Sequence, residues 1–229
     1  MVLYLEYLED SKGPVVQGII LKEVTILVKA RFHSMNNFTR WLFFNIKYLA
    51  DPPWDTGITP PELESFIAAN APGRALDLGC GTGTNMATLA QAGWEVCGIE
   101  YVWKPVRAAR RRLREAGLNG KVYLGDVTRL NRLEGRFDLI LDIGCYHSLS
   151  DEKRQAYREN LRSRLAPGGV FLIYAHLEGE NSQSSNRLDA AAVAALSSTL
   201  ELAHRQDSFD NTERPATWMT FREKQFDHR

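Results

Sequence analysis

Residues Asp77-Leu-Gly-Cys-Gly-Thr-Gly-Thr-Asn85 are the stretch of this chain best suited to hold a ligand for chemistry. The apolar run Arg74–Leu78 leads straight into three alternating glycines, Gly79, Gly81 and Gly83, and a helical pattern starts at Thr84. Glycine reaches backbone angles closed to other residues and lets a ligand lie against bare main chain. The first turn of the helix behind it offers N–H groups without a partner inside the helix. Strand, glycine turn and helix in that order describe a nucleotide-type site. The dinucleotide version of such a site needs G-x-G-x-x-G/A, and so a Gly or Ala at position 84. Thr84 stands there instead, the third glycine comes one residue early, and Asp77 lies inside the strand.

Further candidates follow at regular intervals. Glu100 closes the second apolar run, seventeen residues after Gly83. A carboxylate at that place can accept both hydroxyls of a ribose. Gly125-Asp126-Val127 ends the third run, and Asp142-Ile-Gly-Cys-Tyr-His-Ser148 follows the fourth. Open α/β sheets bind ligands beyond the carboxyl ends of their strands, so these groups should converge. His147 is the candidate general base by type and placement. Asp142 would orient it or bind the substrate, and Tyr146 would pack near the reacting group or position the acceptor. His176 follows the fifth run and reaches the substrate side, whereas His33, His204 and His228 have no assignable partners. Cys80, Cys97 and Cys145 lack metal-ligand spacing and read as reduced buried thiols, so no metal site is expected.

The elements that must position these residues alternate. Strand signals fall at Arg74–Leu78, Glu95–Glu100, Lys121–Asp126, Phe137–Asp142 and Val170–Ala175, with helical patterns at Thr84–Gln91, Pro105–Ala116 and Asp151–Leu165 between them. Such repetition predicts a doubly wound, mostly parallel sheet with helices on both faces. Ser150 is expected to cap the last of these helices, which Pro167-Gly168-Gly169 ends. After an Ala-rich helix at Asp189–Ser197, Thr199–Asp207 and Ala216–Glu223 form a closing hairpin with a polar connection, giving seven strands. Upstream, Thr59-Pro-Pro-Glu62 reads as a capping box at a helix start. Asn37–Leu49 is apolar nearly all round, so it packs on the core, covers a ligand or dips into a membrane surface. Residues 1–34 match no pattern, and Met35 is a candidate natural start.

The 229 residues suit one domain with decoration: a cap over residues 1–71 and a ligand-binding domain over 72–229. Formal net charge is zero, which argues against nucleic acid as partner. Arg107, Arg110, Arg111, Arg112 and Arg114 read as a solvated helix face. Neither a secretory signal nor an 18-residue apolar run is visible, and a cytoplasmic monomer or homodimer is expected, with weak membrane contact through 38–49 as a rival.

The D-x-G-x-G-x-G arrangement over Asp77–Gly83, with Glu100, Asp126 and Leu165-Ala-Pro-Gly-Gly-Val-Phe-Leu172 in order behind it, resembles class I S-adenosylmethionine-dependent methyltransferases. That resemblance covers residues 74–175 and implies a Rossmann-like seven-stranded sheet with an antiparallel last strand. It implies S-adenosylmethionine as cofactor and S-adenosylhomocysteine as product. Asp126 would receive the adenine amino group and the Val127 N–H a ring nitrogen. Asp51-Pro-Pro-Trp-Asp-Thr-Gly-Ile-Thr-Pro-Pro-Glu-Leu63 is similar to a segment of thiol, thiopurine, halide and tellurite-resistance methyltransferases, which carries Trp54 over as a cofactor contact. The implied cofactor set is Trp54, Asp77, Gly79, Cys80, Gly81, Thr84 and Asn85 from the first half, and Glu100, Tyr101, Asp126, Val127, Asp142 and Ile143 from the second. The resemblance implies a small-molecule acceptor, a thiol or other soft nucleophile. An oxygen or carbon acceptor served by His147, or a cofactor-binding regulatory protein without turnover, are the alternatives. Family members that act on DNA or protein amide nitrogen carry N/D-P-P-Y/F after the fourth strand. Asp142-Ile-Gly-Cys145 departs from it.

Overall fold

Two helices precede the first strand in the computed structural model, which describes residues 37–49, 52–178, 187–210 and 212–224. They are α1 (Asn37–Lys47) and α2 (Pro61–Ala69). Strand and helix then alternate as β1 (Arg74–Leu78), α3 (Thr84–Gln91), β2 (Glu95–Glu100), α4 (Trp103–Glu115), β3 (Gly120–Leu124) and β4 (Phe137–Ile143). A 3₁₀ turn at Tyr146–Ser148 leads to α5 (Asp151–Arg164) and β5 (Leu165–His176), followed by α6 (Ala190–Thr199), β6 (Glu201–Phe209) and β7 (Pro215–Arg222). The readings of residues 1–34, Met35, Asp51, most of the polar stretch Glu178–Arg187, His33 and His228 lie outside the described residues.

Seven strands form one sheet among the described residues, in the order β3-β2-β1-β4-β5-β7-β6. The first five run parallel, and β7 lies antiparallel between β5 and β6. This is the Rossmann-like sheet with a reversed last strand that the alternation and the resemblance implied. Its inner strands are apolar on both sides because helices cover both faces. Strand parity sorts the core into two layers. Leu76, Ile140, Phe171 and Ile173 face α5 and α6. Ala75, Leu139, Leu141 and Leu172 face α2, α3 and α4. The edge strand β6 is exposed along nearly its whole length, and Glu201, His204, Arg205 and Asp207 on it discourage pairing with another sheet. Among the described residues no helix is long and apolar enough to cross a membrane.

Local signals were displaced in two places. Pro60, not Thr59, is the N-cap of α2, so Glu62 falls at the second helical position and no capping box forms. The Thr59 hydroxyl pairs instead with that of Thr88 on α3 at 2.6 Å, tying the approach of α2 to the glycine-loop helix. Ser150 occupies the N-cap of α5 but makes no side-chain capping bond. Asp151 and Glu152 supply the negative charge that the helix start favours.

Candidate cofactor and acceptor site

Parallel pairing of β1 between β2 and β4 brings the glycine loop to the middle of the sheet's carboxyl edge. The N–H groups of Gly79 and Cys80 both donate to the Ile99 carbonyl, at 2.9 and 3.1 Å, which anchors the loop to β2. Gly79 (φ +79°) and Gly83 (φ +80°) adopt left-handed backbone, and a Cβ on Gly83 would meet Ala109 of α4 at 2.8 Å. Gly83 is the N-cap of α3 and no side chain caps that end. Bare main chain and a helix start therefore face the same cleft.

Two carboxyls close it from below. Glu100 is 6% exposed, with Oε2 accepting from the Gly81 N–H at 3.2 Å and Oε1 from the Val102 N–H at 2.8 Å. Burial pushes its pKa up to about 6 against the pull of these amides. Asp77 is buried, and burial together with neighbouring Asp142 and Glu100 raises its pKa to about 8. Among the described residues its Oδ2 has no hydrogen-bond partner, and neither has Thr84 Oγ1 or Asn85 Oδ1. Buried polar atoms are nearly always paired, so three orphans around one loop mark a place built for a ligand. The Asp77–Glu100 pair favours a ligand that is cationic and carries hydroxyl donors.

The chain before β1 lies across this loop. The Tyr48 hydroxyl stands 3.3 Å from where a Gly81 Cβ would be. Asp55 accepts from the Thr82 hydroxyl at 2.7 Å, and Lys104 at the start of α4 donates to the Tyr48 carbonyl at 2.5 Å. The Arg40 guanidinium of α1, 6% exposed, donates to the carbonyl of Ser148 and, at 3.2 Å, to its hydroxyl. Trp54 does not itself approach the loop. It is 49% exposed, donates to the Tyr48 hydroxyl at 3.4 Å and meets Phe44 and Tyr48 edge-on. Among the described residues it is the Tyr48 hydroxyl that lies against Gly81, whereas the sequence resemblance implied Trp54 as the cofactor contact.

At the end of β3, Asp126 binds the N–H and hydroxyl of Thr128 through Oδ1, and Lys153 through Oδ2 at 3.0 Å. Burial alone would raise its pKa, but these partners hold it below the usual carboxylate range. Val127 is buried beside it, and the Lys153 ammonium lies 5.9 Å from the ring of Tyr101. Two arginines of α4 are structural: Arg110 donates to the Val122 carbonyl and Arg112 to that of Thr82.

The end of β4 departs from the expected roles. Asp142 is fully buried and spends its carboxylate on the Cys145 and Tyr146 N–H groups and on the Tyr157 hydroxyl at 2.5 Å. It does not orient His147. Parity is the reason: Asp142 follows Ile140 onto the α5 face, opposite to Asp77 and Glu100. Tyr146 lies in the same core layer, unexposed, its ring 5.1 Å from Tyr157 and its hydroxyl accepting from Arg158. Both are fully buried, with these partners in the layer under α5. His147 is buried, and its Nδ1 accepts the main-chain N–H of His176 at 3.2 Å. Burial, then His176 and Arg154, press its pKa down to about 3, which leaves it a poor proton acceptor. Burial raises the Cys80 and Cys145 thiols well above their ordinary range, so both stay protonated. Ile143 pairs with Tyr174 of β5. Beyond it stands a pair that sequence reasoning did not assemble: His176 Nε2 lies 3.1 Å from Asp210 Oδ2.

Residues 75–169, which run from β1 into β5 and carry the glycine loop, Glu100, Asp126 and Asp142, match the model of the methyltransferase domain family. The chain is 29% identical over 126 residues to 2-heptyl-1-hydroxyquinolin-4(1H)-one methyltransferase of Mycobacteroides abscessus, an alignment spanning 54% of this chain and 56% of that relative. The chain spans between 33% and 59% of the length of the curated relatives it matches. Its fold is similar to that of TehB from Haemophilus influenzae, with TM-score 0.64 and 19% identity over 78% of this chain and 66% of that one. It is also similar to the glycopeptide N-methyltransferase MtfA solved with S-adenosylhomocysteine, with TM-score 0.59 and 17% identity over 72% and 86% of the two chains.

Proposed function

We propose that this chain transfers a methyl group from S-adenosylmethionine to a small-molecule acceptor. One observation carries the reading: bare glycine backbone faces two buried carboxyls, with unpartnered oxygens on Asp77, Thr84 and Asn85 around it. The residues fit the cofactor's chemistry. Glu100 keeps lone pairs for the ribose hydroxyls while the Gly81 and Val102 amides hold it. Asp77, with Thr84 and Asn85, meets the ammonium end. Asp126 and the Val127 N–H serve the adenine edge, and Gly79, Cys80, Tyr101 and Ile143 wall the cleft. When bound, the cofactor supplies an electrophilic methyl whose departure from sulfur leaves a neutral thioether, so no acid is needed. The protein's own work is alignment and exclusion of water. Residues 37–58 act as the cap that performs the second task, with Arg40 reaching Ser148 and Asp55 holding Thr82. Trp54→Ala should leave affinity for S-adenosylhomocysteine within about threefold, whereas Tyr48→Ala should weaken it tenfold or more. Calorimetry on the two variants checks the ranking, and the reverse order would return the contact to Trp54.

The Asp51–Leu63 segment supports a soft nucleophile such as a thiol, since its Asp55 packs on the glycine loop as a cover would. The His176–Asp210 pair favours a second reading, a hydroxyl acceptor that must lose its proton. Labelled cofactor offered with small thiols, phenols and halides, followed by product mass, tests the proposal. Cofactor binding with no product on any acceptor would favour the regulatory alternative.

A further inference from the structure

We propose that His176, held by Asp210, is the catalytic base that takes the acceptor's proton, which makes the acceptor a weakly acidic hydroxyl compound. The inference rests on the methyl-transfer reading. Position comes first. His176 ends β5 at the sheet's carboxyl edge, next to β4. Cys145 lies close to Gly79, and His147 close to Gly144 and to His176. A Cβ on Gly79 would lie 3.1 Å from that of Cys145, and one on Gly144 would lie 3.5 Å from His147 Cε1. The His147 and His176 rings are 5.0 Å apart.

Tautomer comes second. Asp210 is locked by the hairpin tip: Oδ1 accepts from the Thr212 N–H, the Thr212 hydroxyl and the Arg214 N–H, and Oδ2 from Arg214 Nε at 2.7 Å. Burial opposes its ionisation, but these bonds keep it a carboxylate well below the usual range. A carboxylate 3.1 Å from Nε2 fixes the His176 proton on that nitrogen. Nδ1 is then the ring's acceptor, and among the described residues it receives no hydrogen bond. His147 offers no such atom, because its Nδ1 is occupied. Exposure also separates them, since His176 is partly exposed and His147 is buried.

Charge comes third. Burial, then Arg214, lower the pKa of His176, Asp210 raises it, and Arg187 lowers it again, with a net shift below the ordinary histidine value. The other groups facing it are His147, and Tyr174, whose ring is 5.6 Å away. His176 is therefore neutral and able to accept a proton at neutral pH. Tyr174 packs against Trp218 at 5.2 Å on the same strand face, which gives a planar acceptor an aromatic wall. In the step, the acceptor's O–H bond breaks and its proton bonds to Nδ1. The oxygen lone pair forms the C–O bond as the methyl–sulfur bond breaks, that electron pair staying on sulfur. Asp210 stabilises the imidazolium through Nε2–H.

Two measurements on the full chain test this. Nitrogen-15 spectra of the histidine rings should show the Nε2–H form for His176, and a mixture in Asp210→Asn. An Nδ1–H form, or spectra unmoved by Asp210→Asn, would overturn the proposal. With 4-methylphenol as probe, His176→Asn should lower the rate about 100-fold at pH 7. That loss should shrink as pH approaches the phenol's own ionisation near about 10. Unchanged neutral rate, a loss independent of pH, or wild-type protein that binds S-adenosylhomocysteine yet methylates no phenol would each contradict it. S-adenosylhomocysteine binding to His176→Asn should match wild type, showing an intact fold. Absent binding in wild type would instead defeat the methyl-transfer reading.

Discussion

Glu100→Gln should weaken S-adenosylhomocysteine binding about 100-fold. Hydrogen bonds to a charged group contribute about 1.5–3 kcal/mol each, and two ribose hydroxyls would donate to this one carboxylate. Glutamine keeps the shape but presents an NH₂ on one side. One of the two amides that the side chain now satisfies, Gly81 or Val102, would then face a donor. A loss of about 3 kcal/mol is on the order of a hundredfold in dissociation constant. Since burial lifts the Glu100 pKa to about 6 and ligand hydroxyls favour the ionised form, wild-type affinity should fall as pH drops through 6. The Gln variant should lack that dependence. Titration calorimetry at pH 5 and pH 7.5 checks both, and equal affinities for the two proteins would remove Glu100 from the site.

Asp77→Asn should trade binding for stability. The folded-state pKa of Asp77, about 8, stands above its unfolded value, so the folded protein holds that proton to higher pH. The stability gained from it is complete below about pH 4 and is lost as pH rises towards 8. Asp142 and Glu100, raised to about 7 and 6 by burial, slope the same way. Asparagine carries no charge to bury, so ligand-free Asp77→Asn should be more stable at pH 8 by roughly 1–3 kcal/mol. That is a rise of about 3–8 °C in melting temperature for a chain of this size. At pH 4 the two proteins should melt together. Affinity for S-adenosylhomocysteine should drop roughly tenfold or more, because the ligand's ammonium loses its counter-charge. A variant less stable at pH 8 would show that Asp77 serves the fold rather than a ligand.

The glycine loop, the strand–helix alternation around it and the place of Glu100 at a strand end were legible because each depends on local spacing. Asp142 and Tyr146 were misplaced because a strand alternates sides with every residue. Asp142 follows Ile140 onto the α5 face, where Tyr157 from fifteen residues on binds it. That partner is set by packing, which no spacing rule reports. By type and placement the sequence favours His147 as the base and gives His176 only a place on the substrate side. Only the meeting of β5 with the tip of the β6–β7 hairpin, fixed by Asp210, separates a locked ring from one with an open nitrogen. Tyr48 was hidden inside an apolar run whose composition reads simply as buried helix. Its hint was position, at the end of that run and six residues before Trp54. The capping box at Thr59 failed because Pro60 took the N-cap.

Calorimetry of the unmodified chain with S-adenosylhomocysteine and, separately, with nicotinamide adenine dinucleotide tests the Gly79–Gly83 cleft most directly. A saturable single-site heat with the first and none with the second is the expected result. Binding of the dinucleotide with silence toward S-adenosylhomocysteine would contradict it.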